Sequence, residues 1–296
     1  MSYFFIINPS AGKKQGDIRE LLKKTFSGRK ILFEMEFTRA RGHASELAAR
    51  AVLAGFTRVV AVGGDGTIRE TAASLIGKET ALGILPCGSG NGLARNLFIP
   101  LKFAAALDGL FEWEARPIDA GLANGQPFFC ASGVGLDAEI AHDFNSLSRR
   151  RGILPYVWYA AKRVIASGPR KVTARLDGRR LEMTPLLTGV LNGMQYGGGA
   201  RMAPGAYLDD GLLDLCFIKN ASLPRLLSVV PALFSGRLAQ YPEIYETFRA
   251  RVIELDYGSG VWYHLDGEDF FSGDGQVKLS VIPAAIKVLA PKPSAI

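Results

Sequence analysis

The stretch that most constrains this chain is Val59-Val60-Ala61-Val62-Gly63-Gly64-Asp65-Gly66-Thr67-Ile68-Arg69-Glu70. A short apolar run, then glycines around an acid, then a helical pattern reads as strand, tight turn and helix start. Glycines let the backbone come close to a ligand, and the first turn of the following helix offers N–H groups to an anion. An ordinary strand-to-helix turn also uses glycine, so two glycines alone leave both readings open. A second turn of the same kind follows at Pro86-Cys87-Gly88-Ser89-Gly90-Asn91-Gly92, again after a buried-strand run, 82–85.

Around these turns, strands alternate with helices. Residues 3–7 and 31–37 read as strands; 17–26, 43–53, 68–75 and 103–110 read as helices. This alternation over the first 120 residues predicts a doubly wound, Rossmann-like parallel sheet, with ligands at the carboxyl ends of its strands. After Asp119 the pattern changes. Strand-like runs at 128–132, 172–176, 186–192, 212–217, 252–257, 261–265 and 277–282 are separated by turn residues such as Asp177-Gly178. They predict an antiparallel sandwich or barrel, interrupted by helices at 155–166 and 223–234. The expected division is an α/β domain over 1–120 and a β-sandwich domain over 121–284, with 285–296 returning to the first.

A chain of 296 residues with 48% hydrophobic and 21% charged residues supports two such cores. Three cysteines, Cys87, Cys130 and Cys216, have neither zinc spacing nor an even count for disulfides, which fits buried thiols in a reducing compartment. The N-terminus lacks the features of a signal peptide, and no segment reaches the roughly 18 apolar residues of a membrane span. A cytoplasmic protein is expected. The formal charge of +7 suits an acidic partner: nucleotide, nucleic acid or anionic membrane. No nucleic-acid-binding motif accompanies that charge, so nucleic acid is set aside.

Further candidates for chemistry lie downstream. Asp209, Asp210 and Asp214 surround Gly211, an oxygen-rich set suited to a hard cation or to a solvated hairpin. The strand ending His264-Leu265-Asp266-Gly267-Glu268 places carboxylates where one could accept a proton from a hydroxyl, although a charged turn reads the same way. Asn192-Gly193-Met194-Gln195-Tyr196-Gly197-Gly198-Gly199 requires unusual backbone angles, for structure or for a substrate nearby.

Taken in order, Asn8-Pro9-Ser10-Ala11-Gly12, Gly63-Gly64-Asp65-Gly66-Thr67 with Glu70, Gly88-Ser89-Gly90-Asn91, Gly197-Gly198-Gly199, Ala203-Pro204-Gly205-Ala206, Asp209-Asp210-Gly211 with Asp214, and Asp266-Gly267-Glu268 resemble the diacylglycerol kinase catalytic domain family. The likeness is to the soluble bacterial lipid kinases, relatives of sphingosine and ceramide kinases, and spans essentially the whole chain. It implies transfer of the γ-phosphate of ATP to a lipid hydroxyl with Mg2+, at a nucleotide site between the two domains. By that resemblance Asn8, Pro9, Ser10, Ala11, Gly12, Thr38, Gly64, Asp65, Gly66, Thr67, Ile68, Arg69, Glu70 and Ser89 hold ATP. Glu268 is the general base, Asp65 serves the catalytic magnesium and phosphates, and Asp209, the Leu212 carbonyl and Asp214 form a separate magnesium site. Such a division of labour suits phosphoryl transfer, which needs positioning and charge neutralisation more than covalent chemistry.

The chain departs from the family pattern at Arg69, where asparagine is common, and at Gly92, where many bacterial relatives carry aspartate. Arg69 either reaches phosphate or points to solvent, the second being the simpler expectation. A lipid acceptor implies peripheral contact with the inner face of the membrane. Arg149-Arg150-Arg151 before Tyr156, Trp158 and Tyr159 suits an anionic surface, and a core helix with a solvated basic face suits it as well. Two rivals stay open: a kinase of NAD or a sugar phosphate, and a nucleotide-binding regulator without catalysis. The sequence leaves the oligomeric state open, a homodimer being one option.

Overall fold

The computed structural model describes residues 1–10, 18–29, 31–147, 162–163 and 168–292. Ala11 and Gly12 of the first motif, and the basic-aromatic stretch 149–159, lie outside the described residues. The chain divides into two compact units, Met1–Ile118 with Ala284–Ile296, and Asp119–Pro283.

In the first unit β1 (Ser2–Ile7), β2 (Leu32–Phe37), β3 (Arg58–Gly63) and β4 (Ala81–Pro86) form a parallel sheet of order β2-β1-β3-β4. β1, β3 and β4 are apolar almost throughout and buried, as strands covered on both faces must be. Helices α1 (Ile18–Ser27), α2 (His43–Leu53), α3 (Asp65–Ala73), α4 (Gly92–Asn96) and α5 (Phe103–Glu112) complete the unit. Ring contacts among Tyr3, Phe5, Phe26 and Phe111 fill the space between β1, α1 and α5. Gly83 lets β4 approach: a Cβ there would lie 2.9 Å from Leu110 and 3.0 Å from Val60. Because the order reverses beside β1, the crevice between β1 and β3 is the topological switch point, where ligands of such sheets bind.

The second unit is antiparallel. One sheet has the order β12-β11-β10-β7-β14-β15, built from β7 (Ala131–Val134), β10 (Pro185–Leu191), β11 (Leu213–Lys219), β12 (Tyr245–Ala250), β14 (Val261–Leu265) and β15 (Glu268–Ser272). The other pairs β8 (Val172–Leu176) with β9 (Arg179–Met183) and with β13 (Val252–Asp256). β13 in turn pairs with β16 (Gln276–Leu289). β5 (Ala115–Ala123) and β6 (Gln126–Phe128) form a hairpin beside it. Val134, Val190, Leu215, Phe217, Tyr263 and Leu265 of the first sheet share one core with Val172, Ala174, Ile253, Leu255, Val277 and Leu279 of the second. This is the sandwich. β16 enters both units: its residues up to Pro283 belong to the second, while Lys287 and Val288 pair in parallel with Ala81 and Leu82 of β4.

Two expectations need correction, and one helix was not expected. α3 starts at Asp65 rather than Ile68, so the glycine turn is already the first helical turn. The run 223–234 is two helices, α7 (Leu223–Ser228) and α8 (Val230–Ser235). Pro231 cannot donate the N–H that would continue the first helix and instead opens the second. A helix the sequence reading passed over, α6 (Leu136–Leu147), packs against β14 and β10.

Candidate active site

At the carboxyl edge of the parallel sheet the strand ends are joined by backbone hydrogen bonds. Thr38 N–H donates to Ile7 O (2.9 Å), Asn8 N–H to Val62 O (2.9 Å) and Cys87 N–H to Gly63 O (2.8 Å). The loops carrying Asn8, Thr38, Gly64 and Gly88 are therefore held at one edge. Asn8 sits on one side of the switch point and reaches across it: its Nδ2 donates to Thr67 Oγ1 (3.1 Å), and its Oδ1 accepts from Ser10 N–H (2.8 Å). Pro9 and Ser10 are exposed beyond it.

Asp65 is the centre of this edge. One carboxylate oxygen accepts from Asn91 N–H (2.8 Å) and the other from Gly92 N–H (2.6 Å). The acid from the first glycine turn thereby caps α4, the helix that follows the second. Asn91 closes its own turn, accepting from Gly88 N–H (2.9 Å) and donating to Gly88 O (2.8 Å), at a left-handed φ of 51°. The glycines make this approach possible. A Cβ on Gly88 would stand 2.7 Å from Gly64 Cα, and one on Gly90 would stand 2.7 Å from an Asp65 carboxylate oxygen. Burial pushes the Asp65 carboxyl above its ordinary value, while the two N–H donors and Arg95 pull it back.

The first helical hydrogen bond of α3 runs from Ile68 N–H to Gly64 O (3.1 Å). The N–H groups of Gly66 and Thr67 precede it and have no partner within the helix, the arrangement that suits phosphate oxygens. Ile68 itself faces inward at 2% exposure, so it anchors the helix and presents no side chain to a ligand. Arg69 is half-buried, with its Nε out of solvent's reach. Glu70 turns to α2, accepting from Gly42 N–H (2.8 Å) and Ala44 N–H (3.2 Å), and so fixes the loop after Thr38. Ser89 is exposed at the tip of the second turn.

The second unit holds two clusters. In the first, Asp119 accepts from Gly211 N–H (2.7 Å) and Asp210 from Leu212 N–H (3.1 Å), which folds the acidic turn around a buried carboxylate. Arg249 lies opposite Asp214 in the β11–β12 register. Its Nε donates to Asp214 Oδ1 (3.1 Å), its guanidinium lies 3.9 Å from Asp210, and a further N–H donates to Gly205 O. One arginine thus ties two of the motifs, 203–206 and 209–214. Burial pushes Asp210 and Asp214 above the usual carboxylate value, Asp119 and Asp209 add to the effect at Asp210, and Arg249 opposes it at both.

Asp209, the Leu212 carbonyl and Asp214 are hard oxygen donors, and this excess of negative charge is what a divalent cation relieves; the residues fit Mg2+. Among the described residues no three His, Cys, Asp or Glu side chains gather in metal-binding geometry, so an ion here would draw other ligands from backbone and water. Arg249→Ala is expected to lower stability by about 2 kcal/mol at pH 8, a value discounted for the exposure of the arginine. The carboxylates are ionised there and lose their counter-charge. As pH falls through their raised range they protonate, and the deficit shrinks. Melting temperatures of both proteins at pH 5 and pH 8 check this.

The second cluster is the β14–β15 hairpin. Asp266 (φ 50°) and Gly267 (φ 88°) form a two-residue turn with both φ positive, the type Asp-Gly favours. The Asp266 carboxylate accepts from Phe129 N–H (2.8 Å), Cys130 N–H (2.8 Å) and Ala131 N–H (3.0 Å). That carboxylate is therefore structural, and Glu268, the next acid, is half-buried at the start of β15. The sequence reading missed Asp119 and Arg249 as partners; each acts through a residue far away in the chain, which no local motif signals.

Comparison with known proteins accounts for the arrangement. Residues 2–123 match the diacylglycerol kinase catalytic domain, and residues 131–290 match the YegS C-terminal NAD kinase beta sandwich-like domain. A probable lipid kinase YegS-like protein of Pseudomonas fluorescens is 31% identical over 264 residues, covering 88% of this chain and 86% of that one. A diacylglycerol kinase of Bacillus subtilis is 31% identical over 274 residues, covering 89% and 88%. In fold the chain is similar to the crystal structure of a putative diacylglycerol kinase from Bacillus anthracis, with a TM-score of 0.79 at 22% identity over 98% of this chain and 95% of that one. The match to the diacylglycerol kinase catalytic domain, with relatives at 31% identity named as kinases, makes this chain a kinase. The chain belongs to the family of diacylglycerol kinases and YegS-like lipid kinases. ATP is the phosphate donor that membership implies.

Proposed function

We propose that this kinase phosphorylates the hydroxyl of a lipid, diacylglycerol being the first acceptor to try. The observation that carries the reading is the clamped pair of glycine turns, where Asp65 binds Asn91 and Gly92 while the Gly66 and Thr67 N–H groups open toward an anion. The relatives' names supply the acceptor class. Asn8, Ser10, Thr38, Gly64, Gly66, Thr67 and Ser89 bind and orient the ATP phosphates, and Asp65 offers its remaining lone pairs to the same region. Glu268 takes the proton of the acceptor hydroxyl as its oxygen bonds to the γ-phosphorus; the bond from that phosphorus to the β,γ-bridging oxygen breaks and ADP leaves. Mg2+, when bound, offsets phosphate charge, and Asp209, Leu212 O and Asp214 would hold a second, structural ion. We infer that the enzyme meets its lipid from the cytoplasmic side as a peripheral protein, the acceptor class being a lipid and the chain carrying a formal charge of +7; among the described residues no helix is long and apolar enough to cross a membrane.

Labelled ATP should yield labelled phosphate on a lipid when the enzyme is offered diacylglycerol, other lipid alcohols, NAD and sugar phosphates side by side. Product with NAD or a sugar phosphate and none with any lipid would overturn the lipid assignment. ATP binding without transfer to any acceptor would support the regulator instead.

A further inference from the structure

A buried polar network in the second unit has no part in the chemistry above. Asp137 of α6, Tyr196 of the glycine loop and His264 of β14 meet at one point. The Tyr196 hydroxyl donates to Asp137 Oδ2 and contacts His264 Nε2, while Nε2 lies 3.4 Å from the same carboxylate oxygen. On the far side of the ring, Gly267 N–H donates to His264 Nδ1 (3.4 Å). One neutral tautomer satisfies all of these contacts: Nδ1 accepts from Gly267, Nε2 carries the proton and gives it to the tyrosine oxygen, and the tyrosine proton goes to Asp137. His264 and Asp137 are almost fully buried, at 2% and 6% exposure.

The backbone is shaped to admit the cluster. A Cβ on Gly133 would fall 1.8 Å from the Asp137 carboxylate, 2.2 Å from the Tyr196 hydroxyl and 2.5 Å from His264 Nε2, so no other residue fits at that position of β7. Tyr196 is delivered by the loop Gly197, Gly198, Gly199, whose φ values of 148°, 58° and 93° are all positive. The loop closes on itself through Tyr196 N–H to Ala200 O (2.8 Å) and Ala200 N–H to Gly197 O (3.0 Å). α6 touches the same hairpin a second time, where His142 Nδ1 meets Asp269 Oδ2 at 3.1 Å and the ring stacks on Trp262.

What these contacts hold is the turn before Glu268. Asp266 is gripped by three N–H donors, and Gly267 is gripped by His264; the two residues that aim β15 are thus fixed independently. We propose that Asp137, Tyr196 and His264 are positioning residues that set the Asp266–Gly267 turn and, through it, the orientation of Glu268. The proposal rests on the reading of Glu268 as the base. A proton acceptor displaced by a fraction of an ångström no longer meets the hydroxyl it must deprotonate, whereas nucleotide binding depends on other residues.

The test is Tyr196→Phe in the full chain, which deletes one hydroxyl and keeps the ring. With ATP and diacylglycerol in detergent micelles, kcat is expected to fall on the order of 10-fold while KM for ATP stays within about twofold. Amide exchange over residues 265–269, read by mass spectrometry without substrate, is expected to quicken. In a Glu268→Gln background the same change should bring no further loss, because it acts through that residue. Asp137→Asn, which keeps an acceptor for the tyrosine, should stay nearer to wild type than Asp137→Ala. Unchanged exchange over 265–269 in Tyr196→Phe would overturn the positioning role whatever Glu268 does, and so would an equal loss in both backgrounds. Wild-type turnover in Glu268→Gln would instead remove the base assignment itself.

Discussion

Glu268→Gln is expected to lower turnover by a factor on the order of 100 or more while ATP affinity stays within about twofold of wild type. Glutamine keeps the size of the side chain and its place at the head of β15, so the hairpin pairing of Leu265 with Glu268 is untouched. What disappears is the capacity to take a proton from the attacking hydroxyl. ATP titration followed by calorimetry, beside steady-state assays of phosphoryl transfer, separates the two effects. A parallel loss of ATP affinity would move Glu268 from base to nucleotide contact. Turnover equal to wild type would remove it from the chemistry.

Asp65→Ala is expected to lose turnover by at least a similar factor, on the order of 100, and to do so for a different reason. Removing this carboxylate leaves the Asn91 and Gly92 N–H groups without their acceptor and separates the two glycine turns. Losing the acceptor of two partly buried donors costs about 1–3 kcal/mol of stability. The variant should therefore melt earlier as well as bind ATP less tightly, a combination that Glu268→Gln does not share. Thermal melts with and without ATP check it: the shift given by ATP in wild type should shrink in Asp65→Ala. Asp65→Asn is the sharper control, because it keeps one acceptor and turns the other position into a donor facing a donor. An undiminished ATP shift in Asp65→Ala would show that the turn binds phosphate without help from its acid.

The architecture was readable because local signals and tertiary structure agree in most places. His43–Leu53 is helical in its own periodicity, Val261–Leu265 is a short run of β-branched, aromatic and aliphatic residues, and Asp177-Gly178 forms the same two-positive-φ turn as Asp266-Gly267. The division of labour inside the site was much less so. Glu70 looks like part of a phosphate motif, yet its carboxylate caps a helix that starts 27 residues earlier, accepting from the Gly42 and Ala44 N–H groups at the start of α2. Asp65 lies in the motif as expected, but its binding to the second turn depends on how closely Gly64 and Gly88 approach. Arg249 stands in an alternating strand that reads as an ordinary edge, and only the register with β11 brings it to Asp214. The helix Leu136–Leu147 was legible in the spacing of Leu136 and Ile140 but sat among strand signals. A side chain's periodicity says which face it occupies; whom it meets there is set by the pairing of distant strands.

The route of β16 has a practical consequence for anyone recombining these enzymes. Its last residues are hydrogen-bonded to β4 in the first unit although the strand begins in the second. A fragment ending at Ile118 would therefore leave Ala81–Pro86 as an open sheet edge, an invitation to self-association. A chimaera that borrows the sandwich of a relative needs two junctions, near 118/119 and near 283/284, rather than one. The first unit is contiguous in space and split in sequence, so the sandwich has to be transplanted as an internal insert.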